Sequence, residues 1–119
     1  MIQIRPAQVT AWAQQHSSAE AGLRPIVLDV REAWEVQTAS LATGKPDDSY
    51  QLLHMPMRSV PARYMELDRN TPIACLCHHG ARSMQVAHFL EHNGFTQVAN
   101  IQGGIHAWAS EFDSAIPMY

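Results

Sequence analysis

The sequence has few cysteines, little excess charge and no long hydrophobic run, and each shortage excludes a class of protein. Its 119 residues include only two cysteines, too few for the disulfide framework of a small secreted domain. Eight lysines and arginines against eleven acidic residues give a net charge of −3, which argues against a nucleic-acid or anionic membrane surface. The first residues lack a signal-peptide pattern, and no apolar run approaches the length of a membrane span. We therefore expect a cytoplasmic protein.

What the sequence does contain is a regular alternation of strand-like and helix-like segments. Apolar residues make up 46% of the chain, as in ordinary folded proteins, and the length fits one domain over residues 1–119. Strands are predicted over 25–30, 71–77 and 97–101, with an edge strand at 2–4, and helices over 7–16, 31–38, 83–93 and 105–112. This alternation predicts an α/β fold whose parallel sheet is covered on both sides.

One polar segment, residues 38–51, interrupts the alternation. It contains Gly44, Pro46 and the neighbouring Asp47 and Asp48, a composition typical of exposed loops. Loops of this length in a compact domain are often functional. We interpret residues 38–51 as an inserted surface loop and expect it to form a flap or a docking surface near the active site, with a merely tolerated insertion as the alternative.

The segment from Cys77 to Ser83 carries the chemistry that the sequence predicts. It follows a predicted strand and precedes a predicted helix, and ligands of open parallel sheets bind at such junctions. A cysteine there faces the positive end of the helix dipole and unpaired N–H groups, which favour a nucleophilic thiolate. Gly80 lets the backbone curl into an anion-binding nest, and the Arg82 guanidinium can bind an oxyanion with two hydrogen bonds.

Four motifs together resemble the rhodanese-like sulfurtransferase family. They occur in the family's order and span most of the chain: Leu28-Asp29-Val30-Arg31-Glu32, His54-Met55-Pro56, Cys77-His78-His79-Gly80-Ala81-Arg82-Ser83 and Gly103-Gly104-Ile105-His106-Ala107-Trp108. The resemblance implies a single rhodanese-like domain with a five-stranded parallel sheet and helices on both faces. It also implies that Cys77 carries a sulfane sulfur as a persulfide, without a metal or organic cofactor.

The expected reaction moves sulfur from thiosulfate or a persulfide donor to a thiol, or to cyanide in an assay. A small-molecule donor and a thiol acceptor, which can itself be a protein, are the expected partners. Cys77 and Arg82 are the candidate catalytic residues, and the candidate substrate-binding residues are His78, His79, Gly80, Ala81, Ser83 and Arg58. Asp29 and Arg31 are expected to support the site: Asp29 by pairing with an arginine, and Arg31 by pairing with Glu32 or Glu35 or by admitting an anion.

Two other functions stay open at this point. A persulfide relay or regulatory domain would carry the same loop but act mainly through a protein partner. A cysteine phosphatase or arsenate reductase is less favoured, because four residues separate Cys77 from Arg82 and related phosphatases have one residue more. A zinc site built from Cys75, Cys77, His78 and His79 is not expected, since consecutive residues cannot easily surround one ion tetrahedrally.

Overall fold

The computed structural model describes residues 1–17 and 22–119 and contains one five-stranded sheet. Its strands are β1 (Ile2–Ile4), β2 (Ile26–Asp29), β3 (Gln51–His54), β4 (Ile73–Leu76) and β5 (Val98–Ile101). The order across the sheet is β1-β5-β4-β2-β3, and every neighbouring pair is parallel. The central strand is therefore β4, and the chain leaves its carboxyl end in the middle of the sheet.

Within the described residues, four α-helices and several short turns connect the strands, and a fifth α-helix follows β5. The helices are α1 (Val9–His16), α2 (Ala33–Thr38), α3 (Val60–Arg63), α4 (Ala81–His92) and α5 (Gly104–Ala107). A π-helical turn, Trp108–Phe112, continues α5, so the predicted helix over 105–112 has two geometries. None of the helices in the described residues is long and apolar enough to cross a membrane.

The two faces of the sheet carry separate hydrophobic clusters. Residues side by side on paired strands point to the same face; one such row is Val27, Ala74 and Ala99, and the other is Ile26, Ile73 and Val98. The first row packs in one cluster with Trp12 of α1 and Trp108 of the π turn, and the second packs with Leu90 of α4. Full burial of such a leucine contributes about 1.5–3 kcal/mol. Helices on both faces of a parallel sheet confirm the predicted fold.

Residues 38–51 are only partly exposed, which corrects the prediction of an exposed loop. Ala39, Leu41 and Tyr50 are buried against the cluster that contains α1. The Thr10 hydroxyl donates to Asp47 Oδ2 at 2.5 Å, and the Lys45 N–H donates to an Asp113 carboxylate oxygen at 2.6 Å. These contacts attach the segment to α1 and to the turn after Phe112, and its role as a flap or docking surface stays a prediction.

The strand β3 and the short helix α3 are elements that the sequence pattern did not locate. The four residues of β3 pair with β2 from Ile26↔Gln51 to Asp29↔His54. At the edge of the sheet these residues are only partly buried, so they need not form an apolar run. The sequence shows only two adjacent leucines after a polar segment, and the predicted loop over 38–51 therefore includes Gln51.

Candidate active site

Cys77 lies at the carboxyl end of the central strand, where the chain turns into α4. Its sulfur accepts a hydrogen bond from the Gly80 N–H at 3.0 Å, and the Ser83 hydroxyl lies 3.3 Å away. The residue is 1% exposed. The first N–H groups of the 12-residue helix α4 have no intrahelical acceptors, and the helix dipole is positive at this end. The sulfur is thus held where negative charge is stabilised.

Gly80 supplies the backbone conformation that the turn into α4 requires. Its φ is +109°, in the left-handed region, and it forms the N-cap of α4. A side chain here would bring its Cβ within 3.2 Å of the Gly103 nitrogen. Glycine adopts this conformation without the steric cost that other residues would bear. The turn is what brings the Gly80 N–H onto the Cys77 sulfur.

The start of α5 holds the other side of this loop. The Ile105 N–H donates to the Cys77 carbonyl at 2.9 Å, and the His106 N–H donates to the His78 carbonyl at 3.0 Å. A Cβ on Gly104 would lie 2.4 Å from each of these carbonyl oxygens, so the close approach requires glycine. Gly104 therefore does more than form a tight turn, because it lets α5 fix the direction of the loop's carbonyl groups.

Two buried polar side chains support the loop from β5 and α4. The Ser83 hydroxyl lies 2.5 Å from Asn100 Oδ1 and 3.2 Å from the Gly80 carbonyl. The Asn100 amide group donates to Gln3 and, at 3.2 Å, to the Gly80 carbonyl. Ser83 is fully buried and Asn100 is 2% exposed. Hydrogen-bonded buried polar groups rigidify their surroundings, so these contacts hold Gly80 in place.

Arg82 forms a two-point ion pair with Glu35 at the start of α2. Its two terminal nitrogens each lie 2.7 Å from a Glu35 carboxylate oxygen. The hydrogen bond from Arg82 is the main cause that lowers the pKa of Glu35 to about 2. In this structure both terminal nitrogens bind Glu35, and the predicted role of Arg82 in holding an oxyanion stays a prediction.

A buried ion pair between Asp29 and Arg31 lies behind the Arg82–Glu35 pair. Arg31 Nε and Nη2 approach the Asp29 carboxylate at 2.9 and 2.7 Å, and Arg31 has no exposed surface. The Tyr119 hydroxyl accepts from Arg31 Nη1 and donates to Glu35, both at 3.0 Å. Asp29 does pair with an arginine, as predicted. Arg31 pairs with Asp29 rather than with Glu32 or the Glu35 carboxylate, and its burial leaves it unable to admit an anion.

The Glu35 ion pair predicts a pH dependence of stability. A carboxyl whose pKa falls from 4.5 to about 2 on folding contributes stability above about pH 4.5, and loses it as the pH falls through 2. We expect Glu35→Gln to be less stable than wild type at neutral pH and to lose less stability between about pH 4.5 and 2. Urea unfolding of both proteins across that range measures the difference. Two parallel curves would contradict the assigned pair.

The remaining predicted substrate-binding residues are His78, His79, Ala81 and Arg58. The His78 ring stacks on the Tyr119 ring with centroids 3.9 Å apart, and burial lowers the pKa of His78. His79 and Ala81 are exposed. The side chain of Arg58 is exposed in a groove between residues 57–61 and α4. The structure thus places Arg58 next to α4.

The positions of Cys75 and of the histidines determine which set of metal-ligating side chains this region offers. Cys75 is fully buried in the core, and burial raises the pKa of its thiol. A four-ligand set that includes Cys75 therefore does not converge at the surface. In the part of the chain that the structure describes, the side chains that do converge are those of His78, His79 and His106.

Comparisons with known proteins agree with this geometry. The family model for the rhodanese-like domain matches residues 9–111. A sulfurtransferase of Allochromatium vinosum is 38% identical over 60% of this chain and 64% of its own length. The putative sulfurtransferase YtwF of Bacillus subtilis is 33% identical over 77% of this chain and 81% of its own length.

The match to some relatives covers only part of their length. A chloroplastic rhodanese-like/PpiC domain-containing protein of Arabidopsis thaliana is 37% identical over 78% of this chain but only 30% of its own length. Among solved structures, a rhodanese-like domain protein from Staphylococcus aureus superposes with a TM-score of 0.68 and 24% identity, over 100% of this chain and 99% of its own. With the family model spanning most of the sequence, the chain belongs to the rhodanese-like domain family.

Proposed function

We propose that this protein is a sulfurtransferase in which Cys77 accepts a sulfane sulfur and passes it to a thiol. The observation that carries the proposal is the placement of the Cys77 sulfur: it ends the central strand, accepts the Gly80 N–H and lies at the start of α4. Relatives named sulfurtransferases support the same reaction class.

The reaction divides into two balanced substitutions at sulfur. The Cys77 thiolate attacks the outer sulfur of thiosulfate, the S–S bond breaks, and sulfite leaves with the bonding electron pair. A thiolate acceptor then attacks the outer sulfur of the Cys77 persulfide, and the Cys77 thiolate is released. With a persulfide donor the leaving group is the donor's thiolate instead of sulfite, and with cyanide as acceptor the product is thiocyanate.

The loop supplies the electrostatic stabilisation for both steps. Negative charge stays on the Cys77 sulfur or on the sulfur attached to it, and the helix start and the Gly80 N–H favour charge there. The hydrogen bonds from α5 and from the Ser83–Asn100 pair hold the loop before the donor arrives, so little reorganisation is needed.

The Arg82–Glu35 pair affects which sulfur donor the site favours. Since Glu35 neutralises Arg82, the site offers a thiosulfate dianion less positive charge than a free arginine would. We therefore propose that a persulfide donor reacts faster than thiosulfate, which favours a relay between thiols as the second candidate function. Glu35→Gln frees the Arg82 charge and is expected to raise kcat/KM for thiosulfate relative to that for a persulfide donor.

Steady-state kinetics with two donors test both candidates. Initial rates measured with thiosulfate and with a small-molecule persulfide, against varied thiol or cyanide, should give the parallel double-reciprocal lines of a ping-pong mechanism. Parallel lines with both donors support the sulfurtransferase, and a higher kcat/KM for the persulfide supports the relay. Intersecting lines would contradict a free Cys77 persulfide, and hydrolysis of a phosphoester at a comparable rate would favour a phosphatase.

A further inference from the structure

Three histidine side chains meet beside the Cys77 loop, although two elements contribute them. His78 and His79 follow Cys77 directly, and His106 lies in α5. One ring nitrogen from each histidine lies within 4.8 Å of the others. The His78 and His79 ring centroids are 3.9 Å apart, and those of His79 and His106 are 4.9 Å apart. Three imidazoles this close to one another are a candidate ligand set.

The fold fixes this arrangement through the backbone. The His106 N–H donates to the His78 carbonyl. This hydrogen bond joins α5 to the Cys77 loop at two of the three histidines. The close approach at Gly104 makes that contact possible. The cluster is therefore a product of the same contact that holds the Cys77 loop, and it does not depend on the conformation of a free surface segment.

Hydrogen bonding leaves ring nitrogens free to bind a ligand. His78 Nε2 lies 2.6 Å from the main-chain oxygen of Tyr119, which can only accept, so Nε2 carries the proton and the Nδ1 lone pair stays available. This is the arrangement by which a ligating histidine is usually oriented. His106 Nδ1 is buried and has no hydrogen-bond partner among the described residues. A buried polar atom without a partner is costly unless something binds it.

We infer that His78, His79 and His106 form a binding site for a divalent transition-metal ion. Neutral imidazoles suit Zn²⁺, Ni²⁺ and Cu²⁺, and three of them leave a coordination position open for water or another ligand. Ligand nitrogens on a tetrahedral zinc ion lie about 3.3 Å apart. His79 is exposed, so its side chain can make the small adjustment from the present spacing. The open position would face solvent on the His79 side.

The site differs from the zinc site rejected on the sequence. That set took four neighbouring residues from one strand and turn, two of them cysteines, and Cys75 is buried in the core. The present set contains no cysteine and includes His106 instead. His106 follows His79 by 27 positions in the sequence, and the fold brings the two side chains together. The proposal is independent of sulfur transfer, because no cysteine is among the ligands.

Zinc titration of the Cys77→Ser protein tests the site without the reactive thiol. Isothermal titration calorimetry near neutral pH should show one Zn²⁺ per chain. Adding His79→Asn or His106→Asn to Cys77→Ser should each weaken binding at least about tenfold. The matched control is His92→Asn in the same background, since His92 is exposed at the end of α4 and should leave the affinity unchanged. Circular dichroism of every variant confirms that it is folded.

Three results would overturn the proposal. One is the absence of zinc binding by Cys77→Ser, including the case in which wild type binds, since the thiolate would then be the ligand. Another is equal affinity in the His79→Asn and His92→Asn variants, which would place the ion elsewhere. The third is unchanged affinity in folded His106→Asn. Because His79 is exposed, its variant remains informative even if His106→Asn fails to fold.

Discussion

Cys77→Ser is expected to lower the rate of sulfur transfer at least about 1,000-fold, because a serine hydroxyl is a far weaker nucleophile than a thiolate and forms no persulfide. The fold should survive, since the serine oxygen can accept the Gly80 N–H in place of the sulfur. Thiocyanate formation from thiosulfate and cyanide measures the activity, and circular dichroism measures the fold. A folded variant that retains substantial activity would contradict the role of Cys77.

The matched control for this substitution is the other cysteine. Cys75 lies two residues earlier in β4, is fully buried and faces the α4 side of the core. Cys75→Ala should retain sulfur transfer while losing about 1–2 kcal/mol of unfolding free energy from the smaller side chain. Loss of transfer in a folded Cys75→Ala protein would mean that the two thiols act together.

Arg31→Met is expected to destabilise the fold by about 3–5 kcal/mol, because it leaves the Asp29 carboxylate buried without its partner. Asp29 is 2% exposed, and Arg31 also donates to the Tyr119 hydroxyl. Urea unfolding monitored by circular dichroism measures the change. The double substitution Asp29→Leu and Arg31→Met should recover much of the loss, since it removes both buried charges.

The matched control for Arg31 is an arginine on the surface. Arg63 pairs with Glu66 three residues later, and their side chains are 40% and 56% exposed. Arg63→Met should leave the unfolding midpoint nearly unchanged, because exposed ion pairs contribute little. Equal effects of Arg31→Met and Arg63→Met would show that the buried network does not hold the end of β2 in place.

The sequence predicted the fold well because its central strands are apolar runs. β2, β4 and β5 are buried on both faces, and runs of this kind stand out without knowledge of their partners. β3 was not located because its apolar signal is only two adjacent leucines that follow a polar segment. Tyr50 and Leu41 are buried although they belong to a segment of polar composition, and no local sequence pattern indicates their burial.

The sequence predicted only the part of the site that is contiguous in the chain. The Cys77–Ser83 segment combines a strand end, a glycine and a helix start, and these features are contiguous. The contacts of Glu35, Asn100 and Tyr119 with the loop join residues 17 to 47 positions apart, so chain spacing gave no sign of them. The Glu35–Arg82 pair in particular changes the electrostatics inferred from the motif alone.

Intact-mass measurement after incubation with a sulfur donor tests the central claim most directly. The reduced protein, treated with thiosulfate or a small-molecule persulfide and freed of excess donor, should gain the mass of one sulfur atom. That gain should be absent in Cys77→Ser, present in Cys75→Ala and removed by cyanide. A wild-type protein that gains no sulfur from either donor, or a Cys77→Ser protein that gains as much, would contradict a persulfide carried on Cys77.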